Sequence, residues 1–164
     1  MYQYRMAKAD YLKRIVEIEL RSQMEPHPSF EEKYRTDFNA RYQWWSDYMN
    51  RANHIEKISV HRVVFVAMIK LNIVGFIAGH LTSQPDPQGE IQSMNILEPQ
   101  WGKGADVNLL RKLAKWFKLR GATSVCVHLT ENSPYKVFYA EHGATAVNDS
   151  LYRWADIGKV VEES

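Results

Sequence analysis

Apolar and polar residues alternate at the start of the chain, where Tyr2, Tyr4 and Met6 stand between polar neighbours, a pattern that suits a half-buried strand. From Asp10 the spacing becomes helical, with Leu12, Ile15 and Val16 on one side. Glu25-Pro26-His27-Pro28-Ser29 breaks this helix. A second helix begins near Phe30, and its stripe of Tyr34, Phe38, Tyr42, Trp45 and Met49 reads as core. Val63 to Met68 and Ile73 to Gly79, joined by a short turn around Lys70-Leu71-Asn72, read as a hairpin, and a loop leads from it to a strand from Glu90 to Leu97. From Gly104 to Arg120 the residues Val107, Leu110, Leu113, Ala114 and Phe117 mark the apolar face of a helix that Gly121 stops. Val125 to Leu129 is a further strand, and Ser133-Pro134 supplies a cap and a first-turn proline for a short helix ending at Gly143. Ala144 to Val147 and Leu151 to Ile157 read as closing strands, and Gly158 to Ser164 as a tail dispensable to the core. This order predicts a mixed α/β (α+β) fold, in which helices cover both faces of a mixed sheet.

The 164 residues, 45% of them hydrophobic, suffice for one substantial core and are too few for two ordinary domains, so residues 1–164 are expected to form one. A formal charge of +2, from 21 basic and 19 acidic residues, gives no broad field to recruit nucleic acid or an anionic membrane. Arg111, Lys112, Lys115 and Lys118 read as a solvated face that complements a helix dipole. No stretch resembles a signal peptide or a membrane span, which points to a cytoplasmic protein. Cys126, the one cysteine, lies in an apolar run and is expected to be a buried, inert thiol. The six histidines show no short metal-ligand spacing, so no metal is expected.

The chemistry begins at Trp101-Gly102-Lys103-Gly104, a turn that leads into a helix. Glycines let the main chain approach a phosphate, and the free N–H groups of a helix start favour an anion. Gly104 follows Lys103 where a P-loop needs Ser or Thr, and Val107 stands where the dinucleotide fingerprint needs a third small residue. Neither nucleotide motif fits.

Read with Asn132-Ser133-Pro134-Tyr135-Lys136-Val137-Phe138-Tyr139 and Gly143-Ala144, the turn resembles the GNAT superfamily of acetyl-CoA-dependent N-acetyltransferases. In that family an apolar-x-apolar triplet ends a strand before Gln/Arg-x-x-Gly-x-Gly/Ala, and Asn-x-x-Ala-x-x-Phe-Tyr-x-x-x-Gly-Phe follows later. The matching segments are Met94-Asn95-Ile96, Trp101 to Asp106 and Asn132 to Ala144. Trp101, Asp106, Tyr135 and Ala144 depart from the commonest residues; Asp106 sets a carboxylate beside the N–H groups a phosphate would use.

The resemblance implies a splayed sheet of about six to seven strands flanked by about four helices, with acetyl-CoA as acyl donor. Its pyrophosphate would lie on Trp101, Gly102, Lys103, Gly104, Ala105 and Asp106, and its pantetheine between the strands at 90–97 and 125–129. Main-chain groups of Met94 and Ile96 would pair with it, Asn95 belongs to the same triplet, and the Asn132 side chain would touch it. Tyr139 matches the tyrosine that protonates the leaving thiolate, and Glu90 resembles a strand glutamate used as base. On a regular strand residues 90, 92, 94 and 96 share a face, which would aim Glu90 at the cleft bordered by Met94. His80, Glu98 or a water relay are alternative bases. The acceptor, a small-molecule or protein amine, is expected between the first two helices and the hairpin, near Glu25, Glu31 and Glu32. The other reading is a non-catalytic acyl-CoA-binding or protein-interaction module, and either leaves room for a homodimer.

Overall fold

The computed structural model describes residues 1–23, 30–52 and 58–162, with side chains described outside 22–37 and 162. The break at 25–29 and the side chains of Glu25, Glu31, Glu32 and Tyr34 therefore lie outside the described residues.

The elements run β1 (Tyr2–Met6), α1 (Leu12–Gln23), α2 (Phe30–Met49), β2 (Arg62–Ile69), β3 (Asn72–Leu81), β4 (Gly89–Ile96), α3 (Ala105–Leu119), β5 (Val125–His128), α4 (Tyr135–Glu141), β6 (Thr145–Asn148), β7 (Leu151–Trp154) and α5 (Gly158–Glu162). The strands form one mixed sheet in the order β1-β2-β3-β4-β5-β7-β6. Every neighbouring pair is antiparallel except β4 and β5.

Helices cover both faces. On one, Leu12, Ile15 and Ile18 of α1 and Trp45 and Tyr48 of α2 pack on Val64, Val66, Phe76 and Ala78. On the other, Leu109, Leu110, Leu113 and Phe117 of α3 cover Val63, Ala67, Ile77, Ile91, Val125 and Val127. The α3 stripe follows its sequence spacing, widened by Leu109 and Trp116, with Val107 only half-buried. Gly89 lets this helix lie close, because a Cβ there would collide with the Phe117 ring.

Three expectations need correction. Tyr42 is 40% exposed, and Tyr48 is fully buried instead; the inward face of α2 runs through Phe38, Arg41, Trp45 and Tyr48, where Arg41 reaches a buried carboxylate on α1. Met6, at the end of an edge strand, is exposed. Residues 158–162 of the supposed tail form the fifth helix, α5: Val160 is buried in the α3-side core next to Ile157, which precedes the helix, so this segment helps to close that core. Val160→Ala should cost about 2 kcal/mol through lost burial and a residual cavity, read as a lower urea midpoint at unchanged m-value. A loss below ~0.5 kcal/mol, the range of ordinary surface substitutions, would show that α5 does not hold its place.

Candidate active site

Strand β4 carries an irregularity that decides where Glu90 points. It pairs Ser93 with Ala78 and Ile91 with Gly79, so Gln92 is an extra residue opposite β3, a β-bulge. One inserted residue reverses the alternation of side chains. Ile91, Met94 and Ile96 consequently share the α3-side core, whereas Glu90 pairs with His80 and shares the α1/α2 face with Ser93 and Asn95. The bulge thus turns Glu90 off the face of Met94, against the expectation from a regular strand.

On that face Glu90 ends a buried chain of polar groups. His80, 1% exposed, lies with Nε2 3.3 Å from Glu90 Oε1 and Nδ1 3.0 Å from the Tyr48 hydroxyl. A carboxylate only accepts, so His80 donates from Nε2, while its Nδ1 meets the Tyr48 hydroxyl in a bond whose direction follows the tautomer of the ring. Burial pushes the Tyr48 phenol well above its usual value, against the pull of Arg62, which keeps the hydroxyl protonated. The Arg62 guanidinium lies over the Tyr48 ring and donates to the carbonyls of Asp47, Tyr48 and Ala52 at the end of α2. It anchors the helix end that carries Tyr48.

The parallel pairing of β4 with β5 sets Cys126 directly beside Glu90. Cys126 Sγ is 3.8 Å from Glu90 Oε2, and His128 Nε2, two residues on and so on the same face, is 3.6 Å from that oxygen. Burial raises the Glu90 pKa, but the His80 hydrogen bond, the charges of His80 and His128 and the Cys126 thiol outweigh it, leaving the carboxyl below its ordinary value. Cys126 is buried as expected, and burial with the Glu90 charge pushes its thiol up to about 12. Sequence spacing alone shows neither its contact with Glu90 nor the hold of His80 and His128 on that carboxylate. Cys126-x-His128 at strand spacing was the available signal, but only the neighbouring strand supplies the glutamate.

Past Glu90 the sheet opens. β5 pairs with β4 only at Gly89, Glu90 and Ile91. Leu97 N–H still donates to Val74 on β3, so by alternation the main-chain groups of Met94 and Ile96 face the opening. Two side chains cross it: Ile96 N–H donates to the Tyr135 hydroxyl at 3.1 Å, and Trp101 Nε1 donates to Ile96 C=O at 2.6 Å. Tyr139, one turn beyond Tyr135 on α4, is 1% exposed and packs edge-on against Trp154 in the α3-side core. Burial, with a smaller contribution from Tyr135, drives its phenol pKa far up.

Above the opening, Gly102 and Gly104 take positive φ of 73° and 99°, and Ala105, fully buried, starts α3. The main-chain N–H groups of Ala105 and Asp106 open the helix and have no intrahelical partner. Asp106 Oδ1 accepts the N–H of Val107 at 2.8 Å, so the carboxylate does engage the helix start, as its position suggested. Lys103 is exposed beside the turn, and Gln100 ties the turn to β1 by accepting from the Tyr2 hydroxyl at 2.7 Å. Asn95 is buried on the Glu90 face, and Asn132 is exposed in the turn between β5 and α4. Among the described residues no helix is long and apolar enough to cross a membrane.

The fold is shared with solved acetyltransferases. The chain is similar, at 15% identity and a TM-score of 0.73, to the PaiA N-acetyltransferase of Thermoplasma acidophilum in complex with coenzyme A, over 94% of this chain and 98% of that one. A predicted acetyltransferase from Clostridium acetobutylicum with acetyl-CoA is 17% identical over 90% and 92% of the two chains, with a TM-score of 0.66. The ribosomal-protein-S18-alanine N-acetyltransferase of Escherichia coli is 11% identical over 93% and 91%, at 0.65. No curated protein sequence matches the chain. The profile of the Acetyltransferase (GNAT) family matches residues 14–144. The chain belongs to the GNAT family of acetyltransferases, and its class is therefore acyl transfer.

Proposed function

We propose that this chain transfers the acetyl group of acetyl-CoA to a primary amine, with Glu90 as base and Tyr139 as acid. The observation that carries this reading is the opening of β4 from β5 immediately past Glu90, beneath the glycine turn. The residues present fit the acyl donor: positive-φ glycines and the first N–H groups of α3 suit a pyrophosphate, Lys103 adds charge, and the main chain of Met94 and Ile96 suits an extended amide chain. Bound there, acetyl-CoA supplies an activated thioester carbonyl.

Glu90 faces the α1/α2 side and Tyr139 belongs to the α3 side, so the two approach reacting atoms from opposite faces where the sheet is open. A carboxyl held ionised by His80 and His128 takes the proton that an attacking ammonium must lose. Tyr139, kept as a phenol by burial, gives its proton to the departing thiolate. The hairpin and the first two helices bound the Glu90 face, which supports an acceptor entering from that side. Tyr139→Phe tests the assignment: turnover with the best amine of a panel of polyamines, amino acids and peptides should fall ~10- to 100-fold, while the Kd for acetyl-CoA stays within about twofold. Unchanged turnover removes Tyr139 from the mechanism.

A second reading, a module that keeps the fold without turnover, draws on Tyr135 and Asp106, which already hold N–H groups a donor would use. Tyr135→Phe separates the two. Freeing Ile96 N–H should tighten CoA binding about 2- to 10-fold, the worth of one hydrogen bond, in a calorimetric titration. Weaker binding would mean that the Tyr135 hydroxyl itself contacts CoA. A wild type that binds acetyl-CoA and acetylates no amine in the panel would favour the module.

A further inference from the structure

Glu90, Cys126 and His128 present one carboxylate oxygen, one sulfur and one imidazole nitrogen that all lie within 4.8 Å of one another. We propose that these three side chains form a zinc-class metal site, and that its occupancy switches off the base. The set is mixed in the way a borderline-soft divalent ion favours, with S, N and O donors. Two of the three donor separations are close to what coordination needs, and the third, between Cys126 and His128, is within 4.8 Å. Bond lengths of about 2.0 to 2.3 Å around a tetrahedral ion imply ligand atoms about 3.3 to 3.6 Å apart. Glu90 Oε2 is already 3.6 Å from His128 Nε2 and 3.8 Å from Cys126 Sγ, so the donors need close by only a few tenths of an ångström there.

The backbone holds the set together before any ion arrives. Glu90 and Cys126 are register partners on parallel strands, and Cys126 and His128 are two apart on β5, so all three project from one face. His80 adds the outer contact that ligating carboxylates usually have, holding Glu90 Oε1 while Oε2 faces the other two donors. His128, 66% exposed, opens the site to solvent. Three protein ligands leave a fourth position for water, the open arrangement rather than the closed structural one.

Binding is a proton exchange with no redox step: the divalent ion adds, the Cys126 thiol loses its proton to solvent, and sulfur, nitrogen and oxygen each give a lone pair to the ion. A Glu90 oxygen engaged in this way no longer accepts a proton from an amine. The inhibitory half of the proposal rests on the role given to Glu90 above; the site itself does not.

Cobalt(II) serves as the probe, because a cobalt–thiolate bond gives a near-ultraviolet charge-transfer band and tetrahedral cobalt gives visible bands. Titration of the full chain should produce both at one equivalent, and zinc should bleach them. Cys126→Ser should lose the charge-transfer band, and His128→Ala, an exposed change that leaves the core alone, should weaken cobalt binding ~10-fold or more. Absence of the charge-transfer band in the wild type, or its survival in Cys126→Ser, overturns the site. In the second arm, acetylated amine is measured with and without zinc for each protein. Inhibition that a chelator reverses, and that needs at least tenfold more zinc in His128→Ala, supports the switch. Cobalt bands without zinc inhibition keep the site and overturn the role of Glu90 as base.

Discussion

Glu90→Gln should reduce kcat by ~10²- to 10⁴-fold, the usual contribution of a positioned general base, with acetyl-CoA affinity nearly unchanged. Glutamine keeps the size of the side chain and can still accept the His80 N–H at Oε1, so the fold and the Tyr48–His80 pair should survive. What it loses is a site for the amine proton. The pH dependence sharpens the prediction. Because the Glu90 pKa is held below its ordinary value, the carboxylate stays charged through neutral pH, and wild-type kcat/KM should show no carboxylate inflection there. The rate should instead climb as the amine, near pKa 10.4, loses its own proton. The sign for stability follows from the same shift. A depressed folded-state pKa contributes stability that is present above the unfolded value and is lost as pH falls through the folded one. Wild type should therefore lose more stability than Glu90→Gln only in the acid range of carboxylates. A Glu90→Gln enzyme with more than a tenth of wild-type turnover would hand the base to a water relay.

Glu19→Ala is the largest stability change expected from one surface-to-core contact. Glu19, 2% exposed, accepts from Arg41 at Nε and Nη2, at 2.6 and 2.9 Å, and from the buried Trp45 indole at 3.0 Å. These bonds hold α1 against α2. Removing one member of a buried pair costs about 3 to 5 kcal/mol, and the partial exposure of Arg41 puts this case near the lower end, about 3 kcal/mol. For a chain of this size that lowers Tm by about 6 to 12 °C. Glu19→Gln, which keeps an acceptor for Trp45, should lose clearly less. Equal losses in the two variants would show that charge alone matters, and a loss under ~1 kcal/mol in Glu19→Ala would show that the pair contributes little. Because Trp45 lies edge-on to Phe76 of β3 and Tyr48 sits one turn later, loosening α2 should also raise KM for the amine.

Much of this was legible in the chain. The element order, the hairpin, the α3 stripe and the glycine turn follow from period, turn chemistry and the short-range steric demands of glycine, which depend on neighbours within a few positions. The Asn132 to Gly143 segment, read with that turn, was enough to indicate the family. What the chain does not show locally depends on remote partners. α2 was misread at Tyr42 because two adjacent helical stripes are apolar, and Arg41 makes one of them inward by pairing with Glu19 on another helix. The tail was misread because two apolar residues, Val160 and Val161, are too few to announce a helix without the α3 surface that receives Val160.

Local sequence, then, determined the elements up to β7, their order and the turn that opens α3, since each of these is decided by covalent geometry and close neighbours. The working face of Glu90 was decided only by tertiary structure. One bulge residue, Gln92, exists as a bulge only against β3, and it turns Glu90 away from Met94 toward His80, Tyr48, Cys126 and His128. Those residues come from α2, β3 and β5, far apart in the chain, and strand pairing is what brings their polar atoms within reach of one carboxylate.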